Sequence, residues 1–413
     1  MDNTQSSMTT NQKWVLASMS SGFLLENMDV MFLSFSLSEI IAQMHISSAA
    51  GGWIGTFTNL GMFFGGALFG LLGDRIGRVK TFSYTIFLFA IATGLTYFAH
   101  NITVLYALRF LAGIGAGGEY GVGIALIAEN FQASQIGRAS SVAAIGGQVG
   151  SIAAALLAAW IIPAFGWNTL FLFGIVPVIL TYFVRRHVKE SDEFLAAHKK
   201  AEETSEKISF SRLFETPRLA MQTLGLMVMT IVQIAGYFGL MNWLPSIVQK
   251  KQGLSVSGSS YWMIATIIGM SIGMLVFGTI LDKIGPRWAF GIFLLGSAIV
   301  VFAIVNVTSY WAMLLAGALT GFFSNGMFGG YGAVISQLYP TEIRSTANNL
   351  IMNTGRAIGG FSSVVIGLLM DHYNLYVVMG FLSALYVISF LVMVSLPGLK
   401  EIQAQKQLLA QEG

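Results

Sequence analysis

The chain has 413 residues, of which 55% are hydrophobic and only 10% are charged, and its mean hydropathy is +0.71. About a quarter of the residues in an ordinary soluble protein are charged, so this composition excludes that class. The absence of Cys excludes disulfide and thiol chemistry, and five scattered His residues show no metal-ligand spacing. A net charge of only +3 gives no reason to expect a nucleic-acid partner.

Twelve apolar segments are each long enough to cross a bilayer as a helix, which takes about 20 residues. We expect them at 14–38, 52–72, 81–99, 102–128, 138–162 and 166–185, and then at 219–247, 259–281, 288–307, 309–338, 345–370 and 374–397. The polar start at 1–12 lacks the basic region of a signal peptide, so the first span should be retained. The sequence therefore predicts an all-α membrane protein.

The positive charges predict the orientation of these spans. With the N-terminus inside, 18 of the 22 Lys and Arg residues lie on cytoplasmic segments. Of the other four, Lys250 and Lys251 lie in an outer loop, and Arg109 and Arg356 lie within spans. The positive-inside bias favours this orientation. We expect a multi-pass protein of the cell membrane with both termini in the cytoplasm.

A short charged loop between the second and third spans recurs in the second half of the chain. It contains Gly73, Asp74, Arg75, Gly77 and Arg78, and its counterpart contains Asp282 and Arg287. The offset is 208 residues (282 minus 74), and at the same offset Gly147 matches Gly355. One unit of about half the chain is used twice, which is typical of a transporter with two pseudo-symmetric halves.

The repeated loop resembles the signature loop of the major facilitator superfamily. Arg109-Phe-Leu-Ala-Gly-Ile-Gly115 is similar to the fourth-span motif of that family, and Tyr339-Pro-Thr-Glu-Ile-Arg344 to its loop after span ten. Trp53-Ile-Gly55, Gly117-Gly-Glu119 and Gly355-Arg-Ala-Ile-Gly-Gly360 resemble the proton-coupled carriers of aromatic acids, niacin and sialate. The resemblance covers roughly residues 14–397 and implies twelve transmembrane helices in two pseudo-symmetric six-helix bundles, the major facilitator fold.

The chain should divide into three parts. We expect an N-terminal bundle at 1–186, a cytoplasmic linker at 187–218 and a C-terminal bundle with a short tail at 219–413. The linker carries charged runs at 189–193 and 198–200, which favour a solvated linker with a short surface helix. A regulatory docking site is the alternative interpretation.

Five ionisable residues fall inside predicted spans, namely Glu26, Asp29, Arg109, Glu119 and Arg356. A charge at the bilayer centre costs roughly 2.5–3.5 kcal/mol, so these residues should face a cavity or each other. A rise of about 1.5 Å per residue puts Asp29 and Arg109 at similar depth, which predicts an ion pair with Glu26 one turn below. Glu119 falls nearer the cytoplasm. Each acid is a candidate for proton coupling, and a fixed structural pairing is the alternative.

Arg356 lies at mid-membrane in the eleventh span, and its repeat counterpart is the uncharged Gln148. A guanidinium group offers a bidentate fork that fits a carboxylate. No acid of the second half lies near its depth, so we expect Arg356 to bind an anionic substrate rather than to form a structural salt bridge. Groups at the same level that could shape the pocket are Asn59, Tyr237, Asn242, Trp243, Asn325, Tyr331 and Asn353, together with Gln233 and Asn349.

Asp74 should contact positive helix ends or basic residues across the inner face and so lock the outward-open state. This conformational role follows from the resemblance, and it extends to the other residues of the repeated loop.

The leading hypothesis is symport of a small organic anion with protons by alternating access, carried out by a functional monomer in the lipid bilayer. Proton-linked export of drugs or polyols is the alternative, although 146–150 lacks the Gly-Pro pair that such antiporters of the family usually carry in span five. A non-transporting membrane sensor in the same fold is a third hypothesis. No nucleophile–base arrangement appears, so we expect neither an enzyme nor a cofactor.

Overall fold

The structure, a computed structural model, describes residues 8–196, 199, 209–252 and 256–412. Within these ranges the side chains of 241–252 and 256–261 lie outside the description, as do those of scattered single positions such as 371. Every regular element in the described part is a helix. The predicted helical class is therefore confirmed.

The first half contains five continuous helices and a broken sixth. They are α1 (Thr10–Met44), α2 (Ser48–Ile76), α3 (Arg78–Leu95), α4 (Ile102–Asn130), α5 (Ile136–Phe165), α6a (Trp167–Leu172) and α6b (Pro177–His187). Side chains at the turns fix several helix starts, because an oxygen there accepts a bond from an exposed backbone N–H. Ser47 accepts from the Ala50 N–H, and Asn101 accepts from the Val104 N–H.

The second half repeats this order. Its helices are α7 (Pro217–Gln252), α8 (Val256–Lys283), α9 (Pro286–Val300), α10a (Tyr310–Gly326), α10b (Phe328–Leu338), α11a (Arg344–Gly359), α11b (Ser362–His372), α12 (Leu375–Ser395) and α13 (Pro397–Glu412). Gly77 and Gly285, 208 residues apart, begin α3 and α9 with positive φ angles of 112° and 106°. L side chains rarely adopt that conformation, so both halves use glycine for the same turn. The division at 186 and 219 stays a prediction.

Nine helices in the described part are long and apolar enough to cross a membrane, against twelve predicted spans. The other three predicted spans correspond to α1, to α6a with α6b, and to α11a with α11b. Helix α1 carries Glu26 and Asp29 within its apolar stretch, and α11a is rich in Asn, Ser and Thr. The two remaining helix pairs are each interrupted near the middle. Of these helices, α1 and α11a line a cavity, as polar spans do in membrane proteins, whereas no residue of α6a or α6b lines it among the described side chains.

The two halves meet along the inner portions of their helices. Helix α11a packs against α2 and α4, and α5 packs against α8 and α10b. By contrast, α11b packs on α7 and α12 of its own half. The halves are thus closed together at one end, which carries the turns at 77, 131–135, 285 and 339–343 and is called the loop face below.

Candidate functional site

A cavity of about 270 Å³ lies between the two halves. Its walls come from α1, α2, α4 and α5 on one side and from α7, α10 and α11a on the other. The lining residues are Phe23, Glu26, Asn27, Asp29, Val30, Met31, Leu33, Ser34, Gly55, Thr58, Asn59, Met62, Arg109, Ala144, Gln148, Ile234, Tyr237, Phe238, Asn325, Phe328 and Arg356. A mostly apolar cavity with a few converging polar groups is the usual form of a small-molecule site.

Arg356 reaches this cavity from α11a and keeps 13% of its side chain exposed. Its Nη1 lies 2.8 Å from Glu26 Oε1 and 3.7 Å from the sulfur of Met62. The expectation of an unpaired central cation was wrong, because the acid comes from α1 of the other half. The second oxygen of Glu26 is buried without a hydrogen-bond partner in the described part of the chain. This ion pair therefore joins the two halves while leaving one carboxylate oxygen unsatisfied and part of the guanidinium exposed.

The predicted ion pair between Asp29 and Arg109 is present. Arg109 Nη1 lies 2.9 Å from both carboxylate oxygens of Asp29, and Nη2 donates to the hydroxyls of Thr93 and Thr96. The ring of Phe171 covers the guanidinium at 5.0 Å, and only 1% of the Arg109 side chain is exposed. All these partners belong to the first half, so the pair is an enclosed part of one bundle.

Glu119 lies beneath the cavity rather than in its wall, and it is 1% exposed. Its Oε1 has no hydrogen-bond partner in the described part of the chain. A methyl group at Gly22 of α1 would lie 2.0 Å from that oxygen, so only glycine leaves room for the carboxyl group there. Glu26 is one turn further along the same face of α1, which brings the two carboxyl groups close together.

Four of the predicted pocket groups line the cavity: Asn59, Gln148, Tyr237 and Asn325. Gln233 and Asn349 do not, since Gln233 donates to Asn325 and Asn349 accepts from the Gly121 N–H.

Two other predicted pocket residues, Tyr331 and Asn353, are also absent from the lining. Tyr331 donates to the Met229 carbonyl, and Asn353 donates to the Gly117 carbonyl, so each ties helices together in the core. Placing them in the pocket was wrong because depth along a helix does not fix which face a side chain takes. The side chains of Asn242 and Trp243 lie outside the described residues.

Sequence reasoning missed Phe23, Asn27 and Ser34, which line the cavity from α1. Their spacing of four and seven residues places them on the helix face that also carries Glu26 and Val30. Because the two acids of α1 mark that face, its helical period was the signal that could have found them.

Asp74 closes the loop face by capping a helix of the opposite half. Its carboxylate accepts hydrogen bonds from the N–H groups of Ser345 and Thr346, at 3.1 and 2.8 Å, where α11a begins. The Thr346 hydroxyl adds a third bond, and Arg78 Nη1 lies 2.6 Å away. The predicted contact of Asp74 with a helix end and a basic residue is confirmed.

Asp282 makes the symmetry-related contact. Its carboxylate accepts from the N–H groups of Gly137 and Arg138, at 2.9 and 2.8 Å, where α5 begins. Adding the offset of 208 to 137 and 138 gives 345 and 346, the two residues that Asp74 binds. The loop face is therefore held closed by two equivalent helix caps. In one, a carboxylate of the first half caps a helix of the second half, and in the other the roles of the halves are reversed.

Arg78 is fully buried and joins several parts of the loop face. Its Nε donates to Glu129 at 3.0 Å and its Nη2 to the carbonyl of Thr341 in the second half, at 2.6 Å. In the second half, Arg287 donates from its backbone to Gln403 and from its side chain to the Val394 carbonyl. Arg75 is exposed and Gly73 packs against Ser345.

The start of the predicted linker belongs to the same network, which the expectation of a solvated linker with a short surface helix did not include, although Asp192 and Glu193 are exposed. Glu190 accepts from the N–H groups of Arg78 and Val79, both at 2.9 Å, and so caps α3. Glu193 accepts from the Thr341 hydroxyl at 2.5 Å and pairs with Arg344 at 3.0 Å in the second half. Burial raises the pKa of Glu190 above its ordinary value, although both N–H donors favour the charged form.

Comparison with known proteins agrees with this architecture. The sequence profile of the Major Facilitator Superfamily matches residues 19–275 and 248–410. A protein of Haemophilus influenzae classed as a metabolite transport protein is 41% identical over 92% of this chain and 94% of its own. One of Bacillus subtilis classed as a niacin/nicotinamide transporter is 30% identical, covering 87% and 89%. The cis,cis-muconate transport protein of Acinetobacter baylyi is 30% identical, covering 92% and 94%.

Among solved structures, the proton:xylose symporter XylE bound to 6-bromo-6-deoxy-D-glucose superposes with a TM-score of 0.79. The match covers 96% of this chain and 99% of that one at 18% sequence identity. At such low identity the similarity shows the fold alone, and it confirms the predicted arrangement of two six-helix bundles.

Proposed function

Because the chain belongs to the major facilitator superfamily and is therefore a multi-pass membrane transporter rather than an enzyme, we propose that it takes up a small organic anion together with protons. The two halves would expose the cavity alternately to either side of the membrane. We place this protein in the cell membrane as a functional monomer, with the loop face and both termini in the cytoplasm.

The observation that carries the proposal is the position of Arg356. Among the described side chains of the cavity wall, it is the guanidinium that keeps exposed surface, and it comes from the half opposite its carboxylate partner. A substrate carboxylate bound there would contact the second half through Arg356 and the first half through residues such as Asn59 and Gln148. Binding would thus depend on how the halves are arranged, as alternating access requires.

The relatives support an organic acid as the substrate. Proteins similar to this chain over most of its length are named for niacin/nicotinamide and for cis,cis-muconate. Tyr237, Phe238 and Phe328 give the cavity aromatic surfaces against which a planar apolar body could pack. We propose a monocarboxylic acid of the nicotinate, benzoate or sialate type.

Proton coupling would use the carboxyl groups in and below the cavity. Asp29, Glu26 and Glu119 are the candidates, with Arg109 as the partner of Asp29. The caps of Asp74 and Asp282 would hold the loop face closed, together with Gly73, Arg75, Gly77, Arg78 and Arg287. The state described would then be closed to the cytoplasm.

Uptake into proteoliposomes tests this function. We expect the purified protein to accumulate radiolabelled nicotinate, benzoate or N-acetylneuraminate when the lumen is made alkaline, and to lose accumulation when a protonophore collapses the gradient. Liposomes without protein are the control. Uptake that equilibrates without accumulating, whatever the gradient, would contradict proton coupling.

A further inference from the structure

Two carboxyl groups and one guanidinium form a compact cluster at the floor of the cavity. Glu26 and Glu119 are 3% and 1% exposed, and both interact electrostatically with Arg356. The Arg356 guanidinium also lies over the ring of Tyr120 at 5.7 Å. The cluster therefore has one positive charge for two potential negative charges.

The hydrogen bonds indicate how many of these groups are ionised. Arg356 contacts Glu26 at 2.8 Å, whereas Glu119 Oε1 is buried with no donor facing it. A buried carboxylate without a hydrogen-bond donor is strongly disfavoured in its ionised form. Arg356 is in direct contact with Glu26, so Glu119 is the carboxyl group that holds a proton, and the empty cluster is then neutral.

A bound carboxylate changes this balance. Among the described side chains of the cavity, Arg356 is the cation that keeps exposed surface, 13% against 1% for Arg109, whose Nη groups are held by Asp29 and two hydroxyls, so the anion binds at Arg356. The incoming anion would displace Glu26, whose second oxygen already lacks a partner. The displaced Glu26 would then be a buried charge without a cation, and protonation removes it.

We propose that Glu26, Glu119 and Arg356 form an exchange triad that replaces the Glu26 carboxylate with that of a single-anion substrate and takes up one proton for each anion. This proposal rests on the proposed function and specifies its proton, its stoichiometry and its charge. The substrate contributes one negative charge and the proton that binds Glu26 contributes one positive charge. Transport is therefore electroneutral, and a dicarboxylate is disfavoured because its second carboxylate finds no further exposed cation among the described side chains of the cavity.

The groups around the triad are consistent with this assignment. Besides Glu26 and Arg356, the neighbouring titratable groups are the neutral phenols Tyr120 and Tyr331, from α4 and α10b, and Tyr237 from α7. Helix α3 faces Gly22 and Glu119 with the apolar ring of Phe82. None of these groups can neutralise a displaced Glu26. Asp29 and Arg109 lie one turn above and neutralise each other.

Proton counting on the purified full-length protein tests the triad directly. Nicotinate and benzoate are added at neutral pH in weakly buffered solution, and binding and proton uptake are measured together. We expect one proton per bound anion in the wild type and none in Glu26→Gln, which should bind the anions more tightly because the competing carboxylate is gone. Glu119→Gln is counted in parallel and shows whether the proton goes to Glu119 instead of Glu26. Glu215→Gln, an exposed substitution of the same kind, is the control.

A second measurement tests the charge balance in proteoliposomes. If one net charge crossed with each anion, a potential of 100 mV would change accumulation by about fifty-fold. We expect benzoate accumulation to follow the pH gradient and to be insensitive to a valinomycin-induced potassium potential. Cis,cis-muconate should compete with benzoate at least about tenfold more weakly than nicotinate, because a second carboxylate is left without a cation.

The outcomes distinguish a failure of the exchange triad from a failure of proton symport itself. Accumulation that follows the potential, or a proton count that vanishes in Glu119→Gln and persists in Glu26→Gln, would overturn the triad and leave symport intact. Equal competition by muconate would overturn the single-anion assignment. Failure of nicotinate and benzoate both to bind and to be accumulated would overturn the proposed function for these acids and the triad with it.

Discussion

The cavity and the loop face are both rich in buried charge, yet they satisfy it to different degrees. At the loop face, Asp74 and Asp282 each accept two backbone N–H bonds, and Arg78 is held by two carboxylates and two carbonyls. In and below the cavity, one oxygen of Glu26 and one of Glu119 have no hydrogen-bond partner among the described residues, whereas the atoms left without one at the loop face, such as the Arg344 Nε and the Ser345 hydroxyl, do not belong to carboxylates. A satisfied network fixes one arrangement, whereas an unsatisfied one leaves free energy to be gained when a ligand or a proton arrives.

The Asp29–Arg109 pair shows that depth in the membrane does not decide this difference. It lines the same cavity as Glu26–Arg356, but its partners belong to one half and enclose it. Arg356 pairs across the two halves and keeps some exposure. The Asp29–Arg109 pair is thus held in one fixed arrangement, as the buried charges of the loop face are. The Glu26–Arg356 pair is open to a ligand, as the charges of a binding site are. Four predictions test how the loop face and the cavity differ.

Arg109→Gln should have the largest effect, and the effect should be on stability. It leaves Asp29 buried without its cation, which costs about 3–5 kcal/mol. Thermal unfolding in detergent should show a large drop, and the double variant with Asp29→Asn should recover much of it because the buried charge is gone. Arg356→Gln should lower stability much less, because Arg356 keeps 13% of its side chain exposed, against 1% for Arg109, and is less deeply buried in the fold. Equal losses for the two arginines would remove the distinction between the pairs.

Arg356→Gln should have the next largest effect, on anion binding. A hydrogen bond to a charged group contributes about 1.5–3 kcal/mol, so affinity should fall about tenfold to about a hundredfold. Arg356→Lys keeps the charge but loses the planar fork, so some binding should survive.

A double-mutant cycle isolates the contact between Arg356 and the substrate. Calorimetric titration would compare nicotinate with its neutral amide, nicotinamide, on the wild type and on Arg356→Gln. We expect the amide to bind the wild type more weakly and to be indifferent to the substitution. Additive losses would mean that Arg356 does not touch the carboxylate.

The sequence predicted most of the fold because a bilayer imposes a simple constraint. The lengths of the apolar segments located the spans, and the offset of 208 residues indicated the repeat. The rise per residue of an α-helix placed Asp29 at the same depth as Arg109, with which it pairs. The same estimate puts Glu26 and Arg356 about 18 and 17 Å from the inner face. Their pairing was missed because a partner for Arg356 was sought in its own half.

Two other errors have a different physical origin. Tyr331 and Asn353 were predicted at the right depth, but rotation about the helix axis turns them into the core. Glu190 and Glu193 look like ordinary charges of a polar linker, and only the folded loop face brings them to backbone N–H groups and to Arg344. Contacts of this kind depend on how the halves close, which a linear pattern does not encode.

Asp74→Asn and Asp282→Asn should each weaken the loop face by a similar, smaller amount. Each removes one charge but keeps an oxygen that can accept, so we expect a shift of about 1–2 kcal/mol, or about fivefold to thirtyfold, toward opening. The chain has no Cys, so Ser141→Cys, fully buried against Gly278 and Gly329, can report opening through its maleimide labelling rate.

Both asparagine variants should label faster at that position, and to a similar extent. Ser134→Cys, which is exposed on the loop face, should label at an unchanged rate and serves as the control. A change confined to Asp74→Asn would show that the two caps are not equivalent despite their identical register.

Glu190→Gln should have the smallest effect, because the second half already uses glutamine at the equivalent turn. Gln403 accepts from the Arg287 N–H, two residues after Gly285, as Glu190 accepts from the Val79 N–H, two residues after Gly77. Replacing a capping side chain by alanine costs about 0.5–2 kcal/mol, and glutamine keeps one acceptor, so Ser141→Cys labelling should rise only about twofold.

Burial raises the pKa of Glu190, so its charge is lost as the pH falls through that raised value. Mild acid should therefore accelerate labelling less in Glu190→Gln than in the wild type. An equal acid response in both proteins would assign the pH dependence to another group of the loop face.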